Sequence, residues 1–326
     1  MADTLVVTFD VDQRGRTAIE DALGGAGTAI WLTDLEAGAR KAALADADVL
    51  LSRNTTDLKG DERGLPRRAR LIQFMSAGID FIRLDGLPET LPVACNAGAY
   101  AEPMAEHGLA MAFAAAKRLV HEHAELKEGR FNQFNSVRML AGGVCGILGF
   151  GGIGVATAKL MRAVGMKVHA INRRGGGHEH ADWMGTPDRT DELLAASDVL
   201  VLSLPLTPAT RGMIDARALG LMKPDAILVN LARGEIVDEA ALYDHLVANP
   251  KFVACIDAWW IEPIRHGRFE MAKPFLDLPN VIGSPHNSAS VRGWRDVSLR
   301  RATANCRRVL EGGEPWHLVQ EADRAA

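Results

Sequence analysis

The chain lacks most of the features that mark membrane, secreted or nucleic-acid-binding proteins. It contains no apolar run of about 18 residues, the length that a membrane-spanning helix needs. Its four cysteines lie far apart and form no Cys-x-x-Cys pair, which argues against a disulfide framework or a thiolate metal site. The formal net charge of −4 gives no basic surplus to attract phosphate backbones or anionic lipids. We therefore expect neither nucleic acid nor membrane as a partner, and no metal.

Nothing at the start of the sequence resembles a targeting segment. Met-Ala-Asp-Thr precedes the apolar residues from Leu5, without a basic segment and a long apolar stretch. We therefore expect no signal peptide, free thiols in a reducing compartment and a cytoplasmic location. A length of 326 residues with 48% hydrophobic and 24% charged residues is ordinary for a globular protein of two domains.

Short apolar runs alternate with alanine-rich or polar segments in the first hundred residues, which predicts a parallel sheet with helical crossovers. The predicted strands are Leu5–Phe9, Ala29–Leu32, Val49–Ser52, Leu71–Phe74 and Val93–Cys95. A nearly continuous apolar pattern from Glu102 to Leu119 then predicts one long helix with more apolar surface than one domain face needs. We expect that helix to be buried between domains or between subunits.

A glycine-rich turn follows the next predicted strand. Cys145 to Gly154 reads Cys-Gly-Ile-Leu-Gly-Phe-Gly-Gly-Ile-Gly, so Gly149, Gly151 and Gly154 have the spacing Gly-x-Gly-x-x-Gly between an apolar strand and an amphipathic helix. This arrangement is typical of a dinucleotide site, in which the helix N-terminus faces the pyrophosphate. The predicted contacts are Gly149, Phe150, Gly151, Gly152, Ile153 and Gly154. A glycine-rich turn without a ligand is the alternative.

Six strands are predicted from this point on, at about 144–148, 167–171, 198–203, 226–230, 252–256 and 281–283. Six parallel strands are the number expected of a dinucleotide-binding sheet. The last helix, near 297–310, follows the complete sheet and is expected to return to the first domain. The prediction is a discontinuous substrate domain, 1–98 plus 292–326, and a dinucleotide-binding domain, 99–291.

The second of these strands ends in Asn172-Arg173-Arg174, and no carboxylate occurs from 165 to 177. Sites that prefer NAD usually carry an acidic residue here, which bonds the ribose and repels a 2′-phosphate. Asn172 can accommodate the ribose region without adding charge. Arg173 and Arg174 can pair with the 2′-phosphate through charge-assisted hydrogen bonds. The prediction is NADP(H), with NAD possible.

Chemically useful side chains follow three later strands. Arg233, Asp257, Glu262 and His286 should meet at the carboxyl edge of the sheet, where α/β proteins bind ligands. A histidine titrates near neutral pH and can donate a proton, and a neighbouring glutamate favours its charged form and orients it. The arginine fork suits a substrate carboxylate. Each residue alone is more often structural, and Asp257 is open between a nicotinamide or ribose contact and a strand-end cap.

With these segments in order, the chain resembles the NAD(P)-dependent D-isomer-specific 2-hydroxyacid dehydrogenases over nearly its full length. The matching segments are the glycine turn, Leu202–Gly212, Asn230–Asp238, Asp257–Pro263 and Pro285-His286. The resemblance implies an α/β protein of two Rossmann-like domains, with a flavodoxin-like substrate domain, parallel sheets and an interdomain cleft. It also implies hydride transfer between NADP(H) and a small 2-oxo or D-2-hydroxy acid, such as glyoxylate or hydroxypyruvate, and a homodimer held through the long helix.

By position, the resemblance makes Arg233, Glu262 and His286 the catalytic group. Ser76, Ala77 and Gly78 match a loop whose N–H groups bind the substrate carboxylate, with Arg233 and His286 also on the substrate. Further cofactor contacts are implied at Leu204, Pro205, Thr210, Leu231, Ala232, Arg233, Asp257 and His286.

Several points stay open in the sequence. Trp259 and Trp260 stand where smaller residues are usual, and either pack the core or wall the pocket. Asn287 to Ser290 replace the small residues that often follow the histidine. The alternative function is that of a non-catalytic, cofactor-sensing protein like the C-terminal-binding corepressors. The physiological substrate, its direction of conversion and the strictness of cofactor choice do not follow from the sequence.

Overall fold

The computed structural model describes residues 3–319, which form two compact units. Unit 1 comprises the described residues up to Tyr100 together with those from Val291 onward, and unit 2 is Ala101–Ser290.

Unit 1 is a five-stranded parallel sheet in the order β2-β1-β3-β4-β5, which is the flavodoxin-like order. Its strands are Thr4–Val7 (β1), Thr28–Trp31 (β2), Val49–Ser52 (β3), Ile72–Phe74 (β4) and Val93–Ala94 (β5). Its helices are Gln13–Leu23 (α1), Ala37–Ala45 (α2) and, from the end of the chain, Trp294–Leu310 (α10). Asp12 caps α1 by accepting the Gly15 N–H at 2.8 Å. Leu299, Cys306 and other buried residues of α10 pack with α1 and the sheet, so the last helix completes the core of unit 1.

One ion pair is buried in unit 1. Arg40 of α2 donates to both carboxylate oxygens of Glu62, at 2.9 and 2.8 Å, and to the carbonyl of Leu32. The hydrogen bond from Arg40, acting against burial, lowers the pKa of Glu62. A buried charge is tolerated only when it is paired in this way.

Unit 2 is a seven-stranded parallel sheet in the order β12-β11-β10-β9-β6-β7-β8. The strands are Val144–Leu148 (β6), Lys167–Ile171 (β7), Trp183–Gly185 (β8), Val199–Leu202 (β9), Ile227–Asn230 (β10), Val253–Ile256 (β11) and Val281–Gly283 (β12). The helices are Ala101–Ala116 (α3), Leu119–Lys127 (α4), Gly152–Ala163 (α5), Thr190–Ala196 (α6), Ala216–Leu221 (α7), Glu239–Ala248 (α8) and Pro263–His266 (α9). The predicted α/β class with two parallel sheets is confirmed. The count of six strands is wrong, because β8, which is not among the predicted strands, pairs with β7 as a seventh strand.

The predicted helix Glu102–Leu119 is also corrected. Helix α3 ends at Ala116, and Arg118, with φ of 52°, separates it from α4. Most apolar side chains of α3 are buried within unit 2, where the helix packs on α5, β10 and β11. The exposed apolar surface lies in the segment after α3 instead. It consists of Leu119, Val120, Leu126, Phe131, Phe134, Val137 and Met139.

Candidate active site

The glycine turn joins β6 to α5 at the carboxyl edge of the unit 2 sheet. Gly149 has φ of +96°, and a Cβ there would lie 2.7 Å from the backbone nitrogen of Leu204. A Cβ on Gly154 would lie 2.3 Å from the Gly149 carbonyl oxygen. A Cβ on Gly151 would meet nothing within 4 Å. The first and third glycines are therefore required by the fold itself. The second leaves open space at the N-terminus of α5, where dinucleotide-binding turns hold a pyrophosphate.

The end of β7 carries a polar turn without an acidic residue. The Asn172 side-chain oxygen accepts the N–H groups of Arg174 at 2.8 Å and Gly175 at 2.7 Å. This turn fixes the backbone of the two exposed arginines, Arg173 and Arg174, beside the glycine turn of the neighbouring strand.

The loop after β9 is held against the glycine turn. Ser203 donates its hydroxyl to the Gly149 carbonyl at 2.7 Å, which places Leu204 and Pro205 beside that turn. Thr210 closes the same loop by donating to the Pro205 carbonyl at 2.8 Å. These predicted cofactor contacts thus lie next to the predicted phosphate turn.

Asn230, the last residue of β10, shapes the loop that carries Arg233. Its side chain accepts the Ala232 N–H at 3.0 Å and donates to the Arg233 carbonyl at 2.9 Å. Leu231 and Ala232 are buried by this turn, and Arg233 is partly exposed. The positive charge of Arg233 is close enough to Glu262 to contribute to the lowered pKa of that carboxyl group.

His286 and Glu262 form a direct pair. Both carboxylate oxygens of Glu262 lie 2.8 Å from His286 Nδ1, and the Trp259 N–H donates to one of them at 2.7 Å. Glu262 is only 7% exposed. Burial raises the pKa of Glu262, but the hydrogen bond and charge of His286, the Trp259 N–H and the charge of Arg233 outweigh burial and lower it overall. The pair therefore keeps an ionised carboxylate against Nδ1 of the imidazole.

Asp257 follows β11 and is 0% exposed. Its carboxylate accepts the Ser284 hydroxyl at 2.5 Å and the Asn287 N–H at 3.2 Å. Of the two roles open in the sequence, these contacts describe a cap on strand ends.

The two tryptophans lie in the core of unit 2. Trp259 is 4% and Trp260 is 9% exposed, and both pack in the cluster that contains Phe275. Their indole N–H groups donate to the carbonyls of Ser284 and Val237. Their burial and contacts favour the first alternative, in which both tryptophans pack the core and do not wall a pocket.

Ser76, Ala77 and Gly78 belong to unit 1, in the loop after β4. The Ser76 carbonyl accepts the Asn96 N–H at 2.7 Å. The Ser76 hydroxyl oxygen is buried and has no hydrogen-bond partner within the described part of the chain. A buried polar atom of this kind is rare unless a ligand or water completes it.

Among residues 3–319, no group of three or more His, Cys, Asp or Glu side chains is arranged to hold a metal ion. Burial raises the pKa of the Cys145, Cys255 and Cys306 thiols, so they are poor nucleophiles. A cavity of about 320 Å³ in unit 2 is lined by Ile227, Val253 and other residues at the amino ends of the strands, away from the predicted site. No helix in the described range is long and apolar enough to cross a membrane.

The sequence reasoning missed three polar residues at this edge, Asn230 in its supporting role, Ser284 and His107. Ser284 immediately precedes Pro285-His286 at the end of β12, and its position alone was a usable signal. His107 lies on α3 and its Nε2 is 3.0 Å from the Ser284 hydroxyl. That contact joins residues 177 positions apart, and no local pattern reports it.

The comparison with protein families finds one match in unit 2. Residues 109–288 match the model described as D-isomer specific 2-hydroxyacid dehydrogenase, NAD binding domain.

Curated proteins with similar sequences include a reductase and a dehydrogenase. Hydroxypyruvate reductase of Thermotoga maritima is 31% identical over 249 residues, which are 76% of this chain and 79% of that protein. D-3-phosphoglycerate dehydrogenase of Methanocaldococcus jannaschii is 32% identical over 274 residues, which are 82% of this chain. The chain spans about half the length of that second relative, 51%.

Among solved structures, a D-isomer specific 2-hydroxyacid dehydrogenase from Xanthobacter autotrophicus Py2, in complex with NADPH and MES, superposes with a TM-score of 0.80. The match covers 98% of both chains at 24% identity, which establishes similarity of fold.

Proposed function

Because this chain belongs to the D-isomer specific 2-hydroxyacid dehydrogenase family, we propose that it is a cytoplasmic, NADPH-preferring reductase of small 2-oxo acids such as glyoxylate or hydroxypyruvate. The single observation that carries this proposal is the Glu262–His286 pair, at the same sheet edge as the glycine turn. A dinucleotide turn alone permits many redox reactions, whereas an oriented imidazole beside a buried carboxylate supplies the proton that reduction of a carbonyl requires.

The proton comes from His286. Its Nδ1 faces Glu262, so Nε2 holds the proton that passes to the carbonyl oxygen of the substrate. When bound, the reduced nicotinamide supplies the hydride that adds to the carbonyl carbon. Hydride and proton together convert the 2-oxo acid to the 2-hydroxy acid. Glu262 stabilises the charged imidazole before transfer and fixes the ring afterwards.

Arg233 binds the anionic end of the substrate and polarises its carbonyl group. The turn made by Asn230 holds the backbone from which this side chain extends. In unit 1, we assign Ser76, Ala77 and Gly78 to the substrate carboxylate. The unpartnered, buried Ser76 hydroxyl supports that assignment.

The preference for NADPH rests on the end of β7. Asn172 uses its side-chain oxygen to hold the backbone of Arg174 and Gly175, and leaves its amide N–H groups for the ribose region. Arg173 and Arg174 supply positive charge for the 2′-phosphate through charge-assisted hydrogen bonds. NADPH should therefore give the higher kcat/KM, and the double variant Arg173→Ala/Arg174→Ala should lose efficiency with NADPH while keeping that with NADH. Equal or better kcat/KM with NADH in the unaltered protein would contradict this preference.

A steady-state screen tests the function as a whole. Glyoxylate, hydroxypyruvate, pyruvate, phenylpyruvate and 2-ketogluconate are each offered with NADPH and with NADH, and oxidation of the cofactor is followed by its absorbance. Turnover of a small 2-oxo acid, abolished by His286→Ala, is the expected result. Binding of NADPH without turnover of any of them would contradict the enzyme and favour a cofactor-sensing protein.

The exposed apolar segment after α3 supports a homodimer. Phe131 and Phe134 are 77% and 85% exposed, and Val120 and Val137 of the same segment line the cavity at the amino ends of the strands. An exposed apolar surface of this kind is typical of a protein interface. We place the twofold contact there, rather than on α3, whose apolar side chains are mostly covered by α5 and the sheet.

A further inference from the structure

A chain of hydrogen bonds runs from α3 to the end of β11 within unit 2. His107 Nε2 lies 3.0 Å from the Ser284 hydroxyl oxygen, and that oxygen lies 2.5 Å from Asp257 Oδ1. The Ser284 hydroxyl donates this hydrogen bond, and the Asp257 carboxylate oxygen accepts it. The Ser284 oxygen then accepts from His107, which carries a proton on Nε2.

Asp257 in turn holds the backbone around His286. Its carbonyl oxygen accepts the His286 N–H at 3.0 Å, and its carboxylate accepts the N–H groups of Asn287 at 3.2 Å and Ser288 at 3.4 Å. Three successive backbone donors therefore point at one residue. With 0% exposure, the carboxylate of Asp257 lies under this turn rather than at its surface.

The backbone of His286 needs such support. Its φ is 49°, in the left-handed region that residues with a Cβ rarely adopt. A conformation of this kind is strained and persists only where the surroundings impose it. The opposite side of the turn is fixed by Trp259, whose indole N–H donates to the Ser284 carbonyl at 2.8 Å. This left-handed turn is what aims His286 Nδ1 at Glu262.

We propose that His107, Ser284 and Asp257 form a positioning network that holds the strained turn of His286 in its proton-donating geometry. The proposal rests on the proposed function, in which His286 is the proton donor. The three residues do not resemble a hydrolytic triad, because the serine proton points to the carboxylate and not to the imidazole. We assign them a role through His286, because the contacts of Asp257 lie on the backbone of its turn.

Ser284→Ala is the main test, because it removes the hydroxyl that links His107 to Asp257. We expect kcat for the best 2-oxo acid to fall about tenfold, a size consistent with the loss of one hydrogen bond to a charged group. The Kd for NADPH should stay within about twofold, since the glycine turn is untouched. Ser284→Thr keeps a hydroxyl and should restore most of kcat. A rise in the Kd for NADPH with unchanged kcat would overturn the proposal and make Asp257 a cofactor contact.

A double-mutant cycle distinguishes positioning from general damage. If Ser284 acts through His286, Ser284→Ala should have no further effect on kcat in a His286→Ala background. An equal loss in both backgrounds would refute the network. His107→Leu, on a partly exposed residue, is a second variant should Ser284→Ala fold poorly. We expect His107→Leu to lower kcat, as Ser284→Ala does. His107→Gln retains an N–H donor and should keep most of kcat. Unchanged kcat in His107→Leu would overturn the role of His107.

The failure of the proposed function gives a different result. Near-normal kcat in His286→Ala would show that the proton has another source, and would overturn the proposed function and the network together. Normal kcat in Ser284→Ala combined with a large loss in His286→Ala would overturn the network alone.

Discussion

Glu262→Gln is the sharpest perturbation of the proposed proton donor, because it removes a charge and keeps the shape. The glutamine oxygen can still accept the Trp259 N–H and one hydrogen bond from His286 Nδ1, which are both 2.7 to 2.8 Å from Glu262 in the structure. What disappears is the negative charge beside the imidazole, in a place where the carboxylate side chain is only 9% exposed.

The expected loss follows from that charge. A hydrogen bond to a charged group contributes about 1.5–3 kcal/mol, and one between neutral groups about 0.5–1.5 kcal/mol. The difference, about 1–1.5 kcal/mol, corresponds to a fall of roughly five- to twelvefold in kcat/KM. His286→Ala removes the donor itself and should cost about 10²- to 10⁴-fold in kcat. The Kd for NADPH should be nearly unchanged in Glu262→Gln.

The assay is the steady-state reduction of the best 2-oxo acid, with NADPH binding measured separately. Glu270→Gln is the matched control, since it makes the same chemical change in an exposed ion pair with Arg268 and should leave both quantities unchanged. Wild-type kcat/KM in Glu262→Gln, together with near-normal turnover in His286→Ala, would refute the assignment of the proton donor.

The same variant has a predicted effect on stability. The pKa of Glu262 is lower in the folded protein than its ordinary value, so its charge stabilises the fold above about pH 4.3, the pKa expected in the unfolded chain. This contribution is lost as the pH falls through the folded pKa. Urea unfolding should therefore show a smaller difference in free energy between neutral and acidic pH for Glu262→Gln than for the unaltered protein.

Three further predictions concern the fold and the assembly. Gly154→Ala should lower the melting temperature, because its Cβ would lie 2.3 Å from a backbone oxygen. Gly151→Ala should leave the melting temperature unchanged and weaken NADPH binding. A loss of stability in Gly151→Ala, with normal stability in Gly154→Ala, would contradict the phosphate turn. Glu62→Gln should cost about 3–5 kcal/mol of unfolding free energy in urea, since it leaves the charge of Arg40 buried, and a loss below about 1 kcal/mol would show the pair to be unimportant. Light scattering should show a dimer that Phe134→Asp weakens, and a concentration-independent monomer would refute the interface.

Much of the fold could be predicted because its signals are local. One βαβ unit contains an apolar strand, a turn of glycines at fixed spacing and an amphipathic helix. Each of these restricts the backbone conformation of its own residues. Gly149 has a positive φ, and a Cβ on Gly154 would lie against the Gly149 carbonyl oxygen, so both constraints arise within this unit. The three-residue strand β8 is the one strand of unit 2 that the sequence did not indicate.

The surface of α3 shows the opposite case. Its composition correctly indicates a helix that is covered on most sides, but composition does not say what covers it. In the structure α5, β10 and β11 do so, and the exposed apolar side chains belong to the segment that begins at Leu119. Burial depends on neighbours far along the chain, which a periodic pattern does not name.

By itself, the sequence determined which residue types stand at the ends of the strands, and therefore that Glu262 and His286 were candidates for proton transfer. Their separation could not be predicted, because it depends on the order β12-β11-β10 and on a left-handed backbone at His286. The same holds for Asp257, which the sequence left open between two roles. Only tertiary structure placed its carboxylate under the His286 turn and connected it through Ser284 to His107, because hydrogen bonds between residues 27 and 177 positions apart exist only once the strands and α3 are packed.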